Sequence, residues 1–367
     1  MRLLILMRSC IFTARGGAEV QVDFIKDAFF RAGHEVHITY DEKVNVEIDD
    51  QKATYHSLPN HGKLGSWRNY GVIKELVAEI RPDIIYQRVR QNYTAIAAVI
   101  AKQYGIPFVH HISADYACKK NRVALDRKFL GGLLREYLGR YGITHADLLI
   151  AQTKIQANML NDNFGLNSLV VPNGHPAPPK DGVRAEPPIV LWVANIKAWK
   201  QPEIFVDLAK RLSDTDARFI MIGKKGDKKF HHEFLETVKP VKNLEYLGQL
   251  SLEDVNTWLG ISSIFVNTSL PREGFPNTFI QAWLRAVPVV SLNFDPDDLN
   301  TTQNIGFLSE TADNLERDIR VLLSSEQIRA DMGTRAKLFS LNKFHTAITD
   351  ATYLREFGRL ASASPYL

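Results

Sequence analysis

VPNGHPAPPKDGVRAEPP, residues 171–188, is the stretch that divides the chain. Proline lacks a backbone N–H and glycine resists ordering, so a segment rich in both makes poor core and a good connector. On its amino-terminal side, short apolar runs alternate with helical patterns. Strands are expected at 3–7, 35–40, 83–86, 107–111 and 148–151, and helices at 19–31, 66–80, 93–104 and 122–141. On its carboxyl side the rhythm restarts, with strands at 189–193, 218–222, 244–247, 264–267 and 288–292 and helices at 201–212, 229–238, 252–259 and 277–285. Strands alternating with helices call for largely parallel sheets covered on both faces. The sequence therefore predicts two α/β domains in series, 1–170 and 189–340, joined through a hinge at 171–188 and facing a cleft. Further helices are expected at 312–323, 325–338 and 343–358. The last, in FHTAITDATYLREF, sets Phe344, Ile348, Ala351 and Tyr353/Leu354 at helical spacing and needs an apolar partner.

Composition narrows the classes. A chain of 367 residues, 45% hydrophobic and 23% charged, can bury a sizeable core and is neither disordered nor a polytopic membrane protein. Cys10 and Cys118 are too few for a disulfide framework or a thiolate metal cage, which points to a reducing, cytoplasmic compartment. The start, MRLLILMRSC, is interrupted by Arg8 and reads as a buried first strand in preference to a signal peptide. No run reaches the roughly 18 apolar residues that span a bilayer. The net charge is +4, but residues 119–140 hold seven basic residues (Lys119, Lys120, Arg122, Arg127, Lys128, Arg135, Arg140) against Asp126 and Glu136. That surface is too modest for a nucleic-acid domain. Its interleaved leucines make 119–141 a candidate for resting on an anionic membrane surface, with packing against the sheet as the equal alternative.

Four loops carry candidate chemistry. RGGAEVQ puts Gly16 and Gly17 before a helix start, where the bare backbone can approach a ligand; a tight turn alone explains the pair equally well. VANIKAWKQPE, 193–203, follows the first strand of the second domain, so Lys197 and Lys200 can reach an anion above a strand's carboxyl end, or stand as solvated lysines. Gly223, in IGKKGD, repeats a glycine turn after a strand. In NTSLPREGFPNTFIQAWLRAVPVVSL, 267–292, Glu273 can accept from ligand hydroxyls while backbone N–H groups around Gly274, Phe275, Pro276 and Asn277 face a phosphate or sugar. Gln281 follows inside the helix.

Taken together, GGAE, PNG at 172–174, the 194–200 lysine segment, EGFPNTFIQAW and Pro288-Val289-Val290 resemble, in order, the retaining GT-B-fold glycosyltransferases of family 4. The resemblance covers almost the whole chain. It implies two Rossmann-like domains facing an interdomain cleft, with the acceptor held by the N-terminal domain and a nucleoside-diphosphate sugar by the C-terminal one. It also implies that the final helix, 341–367, packs back on the first domain. No cofactor is implied beyond the donor sugar, and no metal. The partners are a nucleotide sugar and a glycan, glycolipid or small-molecule hydroxyl acceptor, in polysaccharide or glycolipid assembly.

The family's diphosphate-neutralising Arg/Lys pair matches Asn195 and Lys200, with Lys197 able to supply part of the missing charge. Its Glu-x7-Glu motif matches Glu273, expected at the donor sugar, and Gln281, expected at the ribose. Gly16 and Gly17 are expected near the donor phosphates. The family's histidine near the reacting sugar falls on Ser113, leaving His111 and Asp115 as candidates for sugar or acceptor contact and strand-end packing as the other role. Two readings compete with transfer: a nucleotide-sugar epimerase of the same fold, and a non-catalytic sugar- or nucleotide-binding protein.

Overall fold

A computed structural model describes residues 1–12, 16–41, 48–61, 66–90, 92–119, 129–226, 228–271 and 274–363. The chain folds as two compact units, the first of residues 1–174 and 346–367 and the second of residues 175–345.

The first unit runs β1 (Arg2–Ile5), α1 (Gly17–Arg31), β2 (Glu35–Tyr40), β3 (Thr54–Ser57), α2 (Tyr70–Ile80), β4 (Ile84–Arg88), α3 (Asn92–Tyr104), β5 (Phe108–His111), α4 (Phe129–Thr144), β6 (Leu148–Ala151), α5 (Lys154–Phe164) and β7 (Leu169–Val170). The strands form one parallel sheet in the order β3-β2-β1-β4-β5-β6-β7. Strand side chains alternate between faces, and both faces are buried. Leu3, Ile5, Ile84 and Tyr86 pack against Val22, Ile25 and Phe29 of α1. Leu4, Ile85 and Phe108 join Ile73 and Val77 of α2 and Ile96 and Ile100 of α3 on the other side.

The second unit runs β8 (Ile189–Val193), α6 (Pro202–Arg211), β9 (Arg218–Ile222), α7 (Lys228–Val238), β10 (Leu244–Tyr246), α8 (Leu252–Ile261), β11 (Ile264–Asn267), α9 (Asn277–Trp283), β12 (Val289–Ser291), α10 (Leu299–Thr302), β13 (Gly306–Leu308), α11 (Ala312–Ser324) and α12 (Glu326–Lys343). Its sheet is also parallel, in the order β10-β9-β8-β11-β12-β13. Val190, Trp192 and Val266 face Phe205 of α6 and Ile319 of α11, while Leu191 and Phe265 face Phe279 and Trp283 of α9.

The final helix, α13 (Thr346–Ser362), belongs to the first unit. Its Phe357 ring lies 5.3 Å from Phe29 of α1 and 5.7 Å from Tyr86 of β4. The buried stripe differs from the one that spacing suggests. Thr349, Asp350, Tyr353 and Phe357 face inward, Ile348 is 41% exposed, and Phe344 precedes the helix and packs within the second unit.

The Pro/Gly segment is also less loose than its composition suggests. Val171, Asn173 and His175 are buried, and the division between units falls after Gly174. The amide of Gln21 explains part of this order. Its Nε2 donates to the Gly174 carbonyl at 2.8 Å and its Oε1 accepts from the Gly174 N–H at 3.0 Å.

Candidate functional site

In a doubly wound sheet, the chain leaves adjacent central strands in opposite directions, and the loops at their carboxyl ends bound a crevice suited to a ligand. In the second unit those strands are β8 and β11. The loop after β8 carries Asn195, Lys197 and Lys200; that after β11 carries residues 268–276. The structure fastens the two together.

Lys197 opens a single 3-10 turn, Ala198–Lys200, which Gln201 closes in a left-handed conformation (φ 49°) just before Pro202 begins α6. The Lys200 carbonyl accepts from Thr268 Oγ1 at 2.7 Å, and that hydroxyl accepts from Trp192 Nε1 at 2.9 Å. The Leu270 N–H donates to the Trp199 carbonyl at 2.9 Å. Asn293 Nδ2 closes the frame, donating to Gln201 Oε1, the Thr268 carbonyl and the Ser269 carbonyl. Lys200 is buried, with Nζ 4.4 Å from the centre of the Trp199 ring, whereas Asn195 and Lys197 are exposed. Trp192, Trp199, Thr268 and Asn293 all belong to this frame. Sequence reasoning missed them because nothing local to each residue marks the pairing.

Gly223 and Gly226, in IGKKGD, allow a close approach of two backbone segments. A Cβ on Gly223 would strike the carbonyl of Ala194, and one on Gly226 that of Ile196. The Ala194 and Ile196 N–H groups donate to Ile222 and Lys224 carbonyls, both at 3.0 Å. The glycines thus let the lysine loop lie directly on the loop after β9.

Glu273 lies outside the described residues. The turn that follows it is buried at Gly274, Phe275 and Pro276, and Asn277 starts α9. The Phe275 ring sits 5.1 Å from Phe344 and 6.0 Å from Trp283. Gln281, inside α9, is buried. Among the described residues no group of three or more His, Cys, Asp or Glu could hold a metal ion. The Asp295 carboxylate, in Asp295-Pro296-Asp297, accepts from the N–H groups of Asn300 and Thr301.

The crevice strands of the first unit are β1 and β4. Gly16 precedes α1 in extended conformation, Gly17 is its first residue, and Glu19 turns back to accept from Ser9 Oγ at 2.6 Å. At the end of β4, Arg88 is 1% exposed and touches neutral groups. Its Nη1 lies 3.0 Å from His111 Nδ1, and its Nη2 donates to Asn173 Oδ1. Val89 follows with φ 71°, a left-handed conformation that is costly for a β-branched residue.

His111 is fully buried, and Tyr86 Oη stands 3.1 Å and Tyr353 Oη 3.4 Å from its Nδ1. Burial, then Arg88, hold its ring well below the usual histidine range, so it is neutral. Asp115, half-buried, accepts from Gln156 Nε2 at 3.0 Å. Cys10 and Cys118 are both buried and form no disulfide; burial raises the Cys118 thiol to about 12.

Two parallel, doubly wound sheets, the second with a lysine-bearing loop fastened beside a glycine-rich turn, define the class of two-domain α/β proteins with a Rossmann-like sheet in each domain. Residues 15–176 match Glycosyltransferase Family 4 and residues 176–339 match the group 1 glycosyl transferases. The chain belongs to the GT-B-fold glycosyltransferases of family 4, which transfer a sugar from a nucleoside-diphosphate donor to an acceptor.

It is 23% identical over 354 residues to an uncharacterized glycosyltransferase of Methanocaldococcus jannaschii, covering 92% of this chain and 93% of that one. It is 20% identical over 317 residues to the alpha-monoglucosyldiacylglycerol synthase of Acholeplasma laidlawii, covering 75% and 76%. Among solved structures, sucrose-phosphate synthase from Thermosynechococcus elongatus superposes with a TM-score of 0.80 at 14% identity, covering 99% of this chain and 100% of that one.

Proposed function

We propose that the second unit holds the donor and the first unit the acceptor, and that transfer retains the anomeric configuration. The observation that carries this reading is the frame joining the Lys200 turn to residues 268–270 at the β8/β11 crevice. It sets a cation, the glycine-backed loop and the approach to the GFPN turn on one end of one sheet. Lys200, with Lys197, meets the leaving diphosphate; Glu273 meets the donor sugar; Gln281 meets the ribose and Asn195 lines the phosphate side. The acceptor oxygen attacks the anomeric carbon from the face the diphosphate leaves. The new C–O bond forms as the C–O bond to phosphate breaks, and a phosphate oxygen takes the hydroxyl proton. Asp115, beside Gln156, is assigned to the acceptor side of this reading.

The test is incubation of the chain with a panel of nucleoside-diphosphate sugars and hydroxyl acceptors, with mass detection of both products. Release of nucleoside diphosphate together with a glycosylated acceptor supports transfer. Isomerised donor, or binding without turnover, overturns it.

The acceptor is a lipid-linked glycan or glycolipid at the inner, cytoplasmic face of a membrane. Among the described residues no helix is long and apolar enough to cross a bilayer, and the association proposed is a peripheral one. Residues 119–141 carry it, of which 120–128 lie outside the described residues. Tyr116 and Tyr137, on either side of that gap, are 51% and 67% exposed. The relative from Acholeplasma laidlawii is named for a diacylglycerol glycolipid product. Binding to anionic vesicles at low salt, weak binding to neutral ones, and loss on charge reversal of Lys119, Lys120, Arg127 and Lys128 are the expected results. Equal binding to both kinds of vesicle contradicts the proposal.

A further inference from the structure

His175 is the first residue of the second unit, and at that position the sequence gives no sign of a role. It is 3% exposed. Its N–H donates to the Phe344 carbonyl at 2.8 Å, and it bridges in parallel to His345, so the outgoing and returning passages of the chain are paired. Its side chain is hydrogen-bonded to Asn277, the residue that ends GFPN and begins α9. Phe344, joined to the His175 backbone, also packs its ring on Phe275 of the same turn. The turn is therefore held from two sides, by the His175 ring through Asn277 and by Phe344 through Phe275.

From this we infer that His175 is a positioning residue of the donor site, fixing the GFPN turn through the Asn277 side chain. Burial lowers its ring to about 4, so it stays a neutral partner for an amide at ordinary pH. Removing a buried hydrogen-bond partner leaves the other group unpaired, and the turn relaxes toward conformations that bind the donor less well.

The inference rests on the donor assignment above, and one experiment separates the two. Binding of UDP, GDP, ADP, CDP and TDP is measured by calorimetry for the full chain and for His175→Ala, His175→Gln, Asn277→Ala and the His175→Ala/Asn277→Ala pair. His175→Ala is expected to weaken the diphosphate that the unaltered chain binds by about tenfold. Donor KM rises by the same factor, while kcat and acceptor KM change little. His175→Gln, which keeps a donor and an acceptor on a side chain of similar reach, recovers most of the loss, and the paired variant is no weaker than the weaker single one. Unchanged binding in His175→Ala, or losses that add in the pair, overturns the inference alone. Should His175→Ala fail to fold, the contrast between Asn277→Ala and His175→Gln decides: equal losses overturn it. If the unaltered chain binds none of the five, the donor assignment falls and this inference with it.

Discussion

The two units share the order of their first six strands and differ in the cation beside the central strands. In the first unit it is Arg88, 1% exposed at the end of β4, held by Tyr86 of the same strand, His111 of β5 and Asn173 near the unit boundary. In the second it is Lys200, on a one-turn loop after β8, with Lys197 exposed beside it. One guanidinium ties β4, β5 and the chain leaving the unit into a single buried network. The ammonium stands over an indole on a loop whose own backbone is anchored elsewhere. Fold alone would assign both crevices the same work; the residues do not.

That contrast can be broken at four places. Arg88→Ala removes hydrogen bonds to three buried acceptors at about 1 kcal/mol each, so unfolding by denaturant should show a loss of about 3 kcal/mol. Full stability with lost activity would instead make Arg88 a ligand residue. Lys200→Ala should do the reverse: kcat/KM falls roughly 30- to 150-fold, about 2 to 3 kcal/mol of transition-state stabilisation, with a smaller change in unfolding free energy. Retention of full kcat/KM contradicts the donor assignment.

Gly223→Ala forces a methyl onto the Ala194 carbonyl, and overpacking of this kind costs about 1 to 3 kcal/mol. Melting should show it, together with weaker nucleoside-diphosphate binding; an unshifted Tm would mean the lysine loop is not seated there. The smallest effect belongs to Asp350 of α13, which burial raises to about 6 against the opposing pull of Arg31. A carboxyl raised above its ordinary 3.8 holds its proton more tightly in the folded chain, so its contribution to stability is lost as pH rises from about 4 to about 6. The stability of the unaltered chain relative to Asp350→Asn should fall across that window and level off above it. A rise would contradict the environment described for α13.

Much of this architecture is legible in the sequence because parallel strands buried on both faces are continuous apolar runs. Residues 148–151, 189–193, 218–222 and 264–267 carry that signal, and the structure has strands with those same bounds. The pattern fails where burial is slight. β3 is TYHS at a sheet edge, β7 has two residues, and α5, KIQANMLNDNF, has few apolar positions. The ends of α5 were nonetheless readable, since Thr153 caps it by accepting from the Gln156 N–H and Gly165 closes it at φ 68°.

Legibility within the site follows the same physics. Lys200 and the GFPN turn stand out locally, whereas two of the bonds in the frame around the Lys200 turn join residues 68 and 76 positions apart in sequence. The setting of His111 depends on Tyr353, 242 residues away, which no reading of the β5 strand could supply.

The central claim is that the second unit takes the donor. Amide hydrogen exchange with and without the nucleoside diphosphate that the chain releases tests it most directly. Slowed exchange is predicted at 194–200, 223–226 and 268–283. Protection confined to residues 1–174 and 346–367, with those three segments unchanged, would contradict it.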